Sequence, residues 1–212
     1  LGTSEVIVTI MMNYIILYVA NNIIRFGFTA DMLRSSEASN KVVASASYQT
    51  EYLSQITGGS RFNIGFFLAL AAAFLVWFLL KKTTTGFEIT SVGLNPHASE
   101  YAGMSSKRVI IMSMIISGAL CGLGGTVEGL GTFQNVFVQN ASLAIGWNGM
   151  AVALLASNSP IGIPFAALLY GVLSIGKSGM IGVPSEIIDV VSALIIFFVG
   201  ANYIIRYWVR PR

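Results

Sequence analysis

The chain has 212 residues, of which 55% are hydrophobic and only 10% charged, with a mean hydropathy of +0.75. A water-soluble domain carries about 25% charged residues, so this composition excludes an ordinary soluble domain and points to a chain that sits largely in hydrocarbon. The net charge of +3 is small, and the basic residues stand at the ends of apolar runs, which argues for membrane orientation and against nucleic-acid binding.

The chain opens on Leu1-Gly-Thr-Ser-Glu-Val-Ile. That opening lacks an initiator Met, the basic start of a signal peptide and a small-residue cleavage site. It reads as the interior of a longer protein, with this chain as the C-terminal part of a larger membrane subunit. A first apolar run, about Glu5 to Phe26, is long enough to cross a bilayer, which takes about 20 apolar residues. It carries Asn13, Asn21 and Asn22. A polar segment, residues 27–61, follows, rich in Ser, Thr and Asn with mixed charges.

The second span is expected from about Phe62 to Leu80 and stops at Lys81 and Lys82. Residues 81–108 then form a polar loop with Lys107 and Arg108 at its far end. Short loops rich in Lys and Arg stay in the cytoplasm. Within this loop Asn95 can cap a helix and Pro96 can fill its first turn. A little over one turn, His97 to Ala102, would end at Gly103. Cap, proline and glycine agree on a short helix offered to a partner, against the plainer reading of an incidental surface turn. Ala98 and Ala102 permit close approach, Tyr101 offers one large amphipathic anchor, and Glu100 can pair with a basic group on that partner. His97, the one histidine, reads as a solvated surface group.

The third span, about Val109 to Leu130, is glycine-rich. Gly118 with Gly122, and Gly125 with Gly129, make small-xxx-small pairs, which read first as close helix packing and second as a break along a translocation path. Cys121 lies in this apolar run, and as the one cysteine it excludes an internal disulfide and a cysteine metal cluster. Glu128 stands about twenty residues, or ~30 Å, from the cytoplasmic start of the helix. It is read either as a carboxylate facing a water-filled vestibule or as an interfacial group touching water.

Gln134, Asn135 and Gln139 occupy the next connection. A short fourth span, about Ala141 to Ala156, holds Trp147 and Asn148. Amides at this depth usually bond between helices, but amides and aromatics lining one cavity could instead take a planar ligand. Ser157 to Gly162 make a tight polar break, and a fifth span runs from about Ile163 to Gly176. Pro184 opens a sixth, to about Tyr207, with Tyr203, Tyr207 and Trp208 as an interfacial belt and Arg206, Arg210 and Arg212 at its end. The expectation is one all-α, polytopic transmembrane bundle of about six spans, each near the 20-residue crossing length. Residues 27–61 would then lie outside, with residues 81–108 and the C-terminus in the cytoplasm.

Motifs for catalysis are missing from the sequence. It has no His-Glu-x-x-His and no Gly-x-Ser-x-Gly, and its one Gly-x-x-x-x-Gly-Lys-Ser string, Gly171 to Ser178, ends the apolar fifth span instead of forming a phosphate loop between a strand and a helix. The chain is therefore not read as an enzyme, and no cofactor or metal is expected in it. If ATP powers transport, another subunit must bind it.

Gly93-Leu-Asn-Pro-His-Ala-Ser-Glu-Tyr-Ala-Gly-Met104 resembles the cytoplasmic motif of bacterial ABC importer permeases of the branched-chain amino acid, ribose and nucleoside group. Thr83-Thr-Thr-Gly-Phe-Glu88, Ser117-Gly-Ala-Leu-Cys-Gly-Leu-Gly-Gly125, Gly149-Met-Ala-Val-Ala-Leu-Leu155 and Pro160-Ile-Gly162 fit the same group. Glu5-Val-Ile-Val-Thr-Ile-Met-Met-Asn-Tyr14 is similar to its nucleoside-uptake branch. The resemblance runs from about Glu5 to about Gly200, and departs from the usual pattern at Ser99, Met104 and Asn148, the last bearing on the substrate.

The resemblance implies a multi-pass permease of the bacterial cell membrane. It implies a second permease, cytoplasmic ATPase subunits that bind the ATP, and an external solute-binding lipoprotein. Gly93, Asn95, Pro96, Ala98, Glu100, Tyr101 and Gly103 would belong to the helix that couples to the ATPase. Asn13, Glu128, Trp147 and Asn148 are the candidates for the solute path. Nucleosides are the first choice of solute, with sugars or branched-chain amino acids second. An ATPase-independent channel or secondary transporter would need midplane charge pairs or a gating-charge series, which the spans lack.

Overall fold

The computed structural model describes residues 5–35, 37–60, 62–140 and 145–179, with isolated positions from 187 to 197. The expected sixth span and the C-terminal arginines and aromatics lie outside the described residues, as do residues 141–144 at the start of the fourth. What is described is an all-α membrane helix bundle. Among the described residues three stretches are long and apolar enough to cross a bilayer: Ile7–Gly27, Gly65–Lys82 and Ser106–Phe133. Two shorter apolar helices, α7 (Ile145–Leu155) and α8 (Gly162–Gly179), pack on one another.

Two compact units divide the chain, residues 1–69 with 112–143, and residues 70–111 with 144–212. In the first unit α1 (Glu5–Asn22) widens into a π-helical turn over Ile23–Gly27. Helix α6 (Ser106–Thr126), which begins in the second unit, widens in the same way over Val127–Phe133 and stops at Gln134, whose φ is 57°. The third span thus begins three residues earlier than expected and ends three later.

The polar segment 27–61 is not an open loop. Strands β1 (Leu33–Ser35) and β2 (Ala38–Ser39) pair antiparallel, and a short helix α2 (Glu51–Ile56) follows. This segment is bonded to residues 130–139. Ser39 N–H donates to Val136 O at 2.8 Å, Val42 N–H to Gln134 O at 2.8 Å and Tyr48 N–H to Leu130 O at 3.3 Å. Asn21 closes the set from the end of α1. Its Nδ2 donates to Gln139 O at 2.7 Å and its Oδ1 accepts from Gln139 N–H at 3.0 Å. Together these polar groups satisfy backbone that would otherwise be orphaned where the apolar helices end.

Helix α3 (Gly65–Lys82) starts against the same cap. Gly65 N–H donates to Asn63 Oδ1 at 2.9 Å. A Cβ at Gly65 would run into Val127, and one at Gly131 would sit 2.5 Å from the Asn63 amide nitrogen. Two glycines therefore let the start of α3 close on the π-helical end of α6. Only 6% of each apolar span window is buried within the chain. That leaves the outward faces for lipid or for other helices.

Candidate functional site

The segment between α3 and α6 was expected to be a loop with one short helix, and here the structure corrects the sequence. Residues Thr84–Leu94 form a helix, α4. Thr83 is extended, its Oγ1 accepts from Gly86 N–H at 3.1 Å, and the same hydroxyl donates back to Leu79 O at 2.6 Å. One threonine thus caps the new helix and ties it to the end of the span. Gly86 is buried at that corner, where any Cβ would strike the Leu79 carbonyl oxygen.

Asn95 ends α4 and starts α5 (Pro96–Tyr101). Its N–H donates to Ser91 O at 3.0 Å, while its Oδ1 accepts from Ala98 N–H at 3.1 Å. Its φ of −154° and ψ of 100° are the extended conformation that a following proline requires. Pro96 lies at the first helical position, where no N–H is missed. At the other end Gly103 has φ of +86°. Gly103 N–H donates to Glu100 O and Met104 N–H to Ser99 O, both at 3.0 Å, the paired bonds of a Schellman cap. The helix ends at Tyr101, one residue before the expected end, with Gly103 as its stop.

Two serines hold the turn from below. Ser99 is buried and its Oγ donates to Asn95 O at 3.0 Å; Ser106 is buried and its Oγ donates to Pro96 O at 3.3 Å. The opposite surface is exposed: Tyr101 is 96% accessible, Leu94 83% and Phe87 63%. His97, Ala98 and Glu100 are exposed as well, and among the described residues Glu100 makes no ion pair. The six-residue helix is capped at both ends and presents an exposed tyrosine and carboxylate, with Leu94 exposed beside it at the end of α4. Gly93 is exposed with nothing near its Cβ position.

The expected solute-path residues fall in both units. Asn13 is exposed on α1 and Glu128 is half-buried in the π-helical end of α6. Thr132 Oγ1 donates to Glu128 Oε2 at 3.3 Å. Trp147 is 70% exposed on α7. Asn148 Oδ1 accepts from Tyr170 Oη on α8 at 3.0 Å, the cross-helix bond expected of a membrane amide. Tyr170 was not singled out from the sequence, where it is one aromatic in an apolar run. Among the described residues no group of three metal-ligating side chains forms.

Apolar spans, a polar cap at one set of helix ends and a doubly capped turn beside basic span ends define a multi-pass membrane protein. The chain belongs to the permease family described as the branched-chain amino acid transport system permease component, which it matches over residues 1–200. It is similar to the nucleoside ABC transporter permease protein NupB of Lactococcus lactis subsp. cremoris (strain MG1363), at 51% identity over 210 residues, 97% of this chain and 58% of that protein. It is 48% identical over 206 residues to the guanosine ABC transporter permease protein NupP of Bacillus subtilis (strain 168), 96% of this chain and 58% of that protein. A second permease of that organism, the guanosine ABC transporter permease protein NupQ, is 36% identical over 104 residues, 49% of this chain and 32% of its own length. The chain spans 58% of the length of NupB and of NupP. No solved structure matches it.

Proposed function

We propose that this chain is the larger part of a permease subunit of an ABC importer for nucleosides. The observation that carries the reading is identity near one half, along almost the whole chain, to two permeases named for nucleoside and guanosine transport. ATP binds to separate cytoplasmic ATPase subunits, and α5 is the element they grip. A second, related permease completes the path, in keeping with the presence of both NupP and NupQ in one organism. An external solute-binding lipoprotein delivers the solute. Residues 81–108 and the C-terminus face the cytoplasm, because Lys81, Lys82, Lys107 and Arg108 flank the segment. Movement of α5 on ATP binding shifts the packed spans and alternates access to the path. Asn13, Glu128, Trp147 and Asn148 line that path.

The test is uptake of labelled guanosine, adenosine, uridine, glucose and leucine by a strain deleted for the full-length gene, with and without the gene restored. Restored nucleoside uptake is the expected result, with Glu128→Ala and Asn148→Ala lowering it several-fold at unchanged complex yield. Restoration of glucose or leucine uptake alone overturns the nucleoside assignment, and full activity in both alanine variants removes those residues from the path.

A further inference from the structure

The polar cap holds a cavity of about 270 Å3 built from two distant stretches of chain, residues 42–54 and Gln134. Ser47, Gln49, Thr50, Glu51, Ser54 and Gln134 supply its polar lining. The two amides are locked by one another. Gln134 Nε2 donates to Ser47 Oγ and to Gln49 Oε1, both at 2.9 Å, and Gln49 Nε2 donates to Gly131 O at 2.8 Å. Both protons of the Gln134 amide nitrogen are thus engaged inside the protein, which leaves its carbonyl oxygen to accept. Glu51 forms no ion pair among the described residues. Ser54 follows Glu51 by three positions on α2, and so lies on the same side of that helix.

The groups left for a ligand are a carboxylate, an amide carbonyl and the hydroxyls of Thr50 and Ser54. Such a lining takes a solute rich in donors and without negative charge. A carboxylate matches two parallel N–H donors in particular, and charge-assisted bonds are about twice as strong as neutral ones. The guanine edge offers that pair, N1–H beside the 2-amino group. The adenine edge offers a donor beside an acceptor. The cavity lies just under the range of about 300–1,000 Å3 usual for small-molecule sites, enough for one base with part of its sugar.

We propose that this cavity is a receiving site for nucleosides with a guanine-type edge, Glu51 accepting from the base and Gln134 and Ser54 bonding the sugar or the rest of the ring. It selects guanosine over adenosine and, through the charge of Glu51, excludes phosphorylated nucleotides. The inference rests on the nucleoside reading above. The cavity lies in the polar cap, against the end of α6 at Gln134.

The experiment is equilibrium binding of radiolabelled guanosine and adenosine to the full-length chain, in the complex it forms, in lipid nanodiscs without soluble binding protein. Wild type should bind guanosine, with guanosine monophosphate a poor competitor. Glu51→Gln should weaken guanosine at least tenfold and leave adenosine unchanged. Glu51 is exposed, so the substitution leaves folding intact, and Glu51→Asp should restore part of the binding. Equal guanosine affinity in wild type and Glu51→Gln overturns the site, as does wild type that imports guanosine in cells yet binds none here. If the full-length gene restores uptake of no nucleoside in cells, the nucleoside reading and this site fall together, whereas restored adenosine or uridine uptake without guanosine overturns this site alone.

Discussion

Gly86 is the residue on which the corner between α3 and α4 turns. Its neighbour across the gap is backbone, the Leu79 carbonyl and the Leu80 Cα, and backbone cannot rotate aside as a side chain can. Gly86→Ala should therefore destabilise the purified full-length subunit by about 1–3 kcal/mol, the usual range for overpacking. Gly93→Ala, with open space at its Cβ position on the same helix, should raise stability by about 0.5–1 kcal/mol, since alanine favours helix over glycine. Thermal unfolding in detergent measures both. Equal melting temperatures for the two variants would mean that the corner is not tightly packed. In sequence, Thr83-Thr-Thr-Gly86 falls within the expected polar loop, and three β-branched residues and a glycine are poor helix formers. Thr83 in fact caps and Gly86 makes room, and neither role leaves a local signature beyond the residues themselves.

At the scale of elements, α5 was legible because its signals are local. Asn, Pro and Gly act within a few residues of where they stand, and the structure places each in the expected role. A helix this short is unstable alone, since nucleation is costly, and Asn95→Ala should remove about 1 kcal/mol of capping. Tyr101→Ala should act differently. Tyr101 is 96% exposed, so its loss leaves the melting temperature unchanged while cutting solute-stimulated ATPase activity several-fold and reducing co-purification of the ATPase subunit. Wild-type values for both would make α5 a surface turn. The polar cap was not legible. Its bonds join residues 82 to 118 positions apart, Gln49 to Gly131 and Asn21 to Gln139, and no periodicity announces such pairs. Gln134, Gln139 and Asn21 stood out as amides in or beside spans, but their pairings did not, and Ser47 and Gln49 did not stand out at all. The π-helical ends of α1 and α6 were also unannounced; each adds a wider turn where polar groups must be met.

At the scale of the whole molecule, hydropathy set the class and the order of spans, and charge placement set the proposed orientation. That orientation predicts a labelling pattern. With Cys121 replaced, a cysteine at Ser99 should resist an impermeant thiol reagent in intact cells and react after permeabilisation, while one at Thr50 should react from outside. Ready labelling at Ser99 from outside inverts the topology. The small buried share of each span leaves apolar faces for lipid or for the partner permease proposed above, so function is best measured in the assembled complex. The most direct measurement is guanosine uptake into proteoliposomes holding the full-length subunit, its partner permease and the ATPase, with the solute-binding protein outside. The account predicts accumulation that requires ATP on the α5 side and falls to background with Tyr101→Ala. Accumulation that proceeds without ATP, or that driven by ATP is unchanged by Tyr101→Ala, would contradict it.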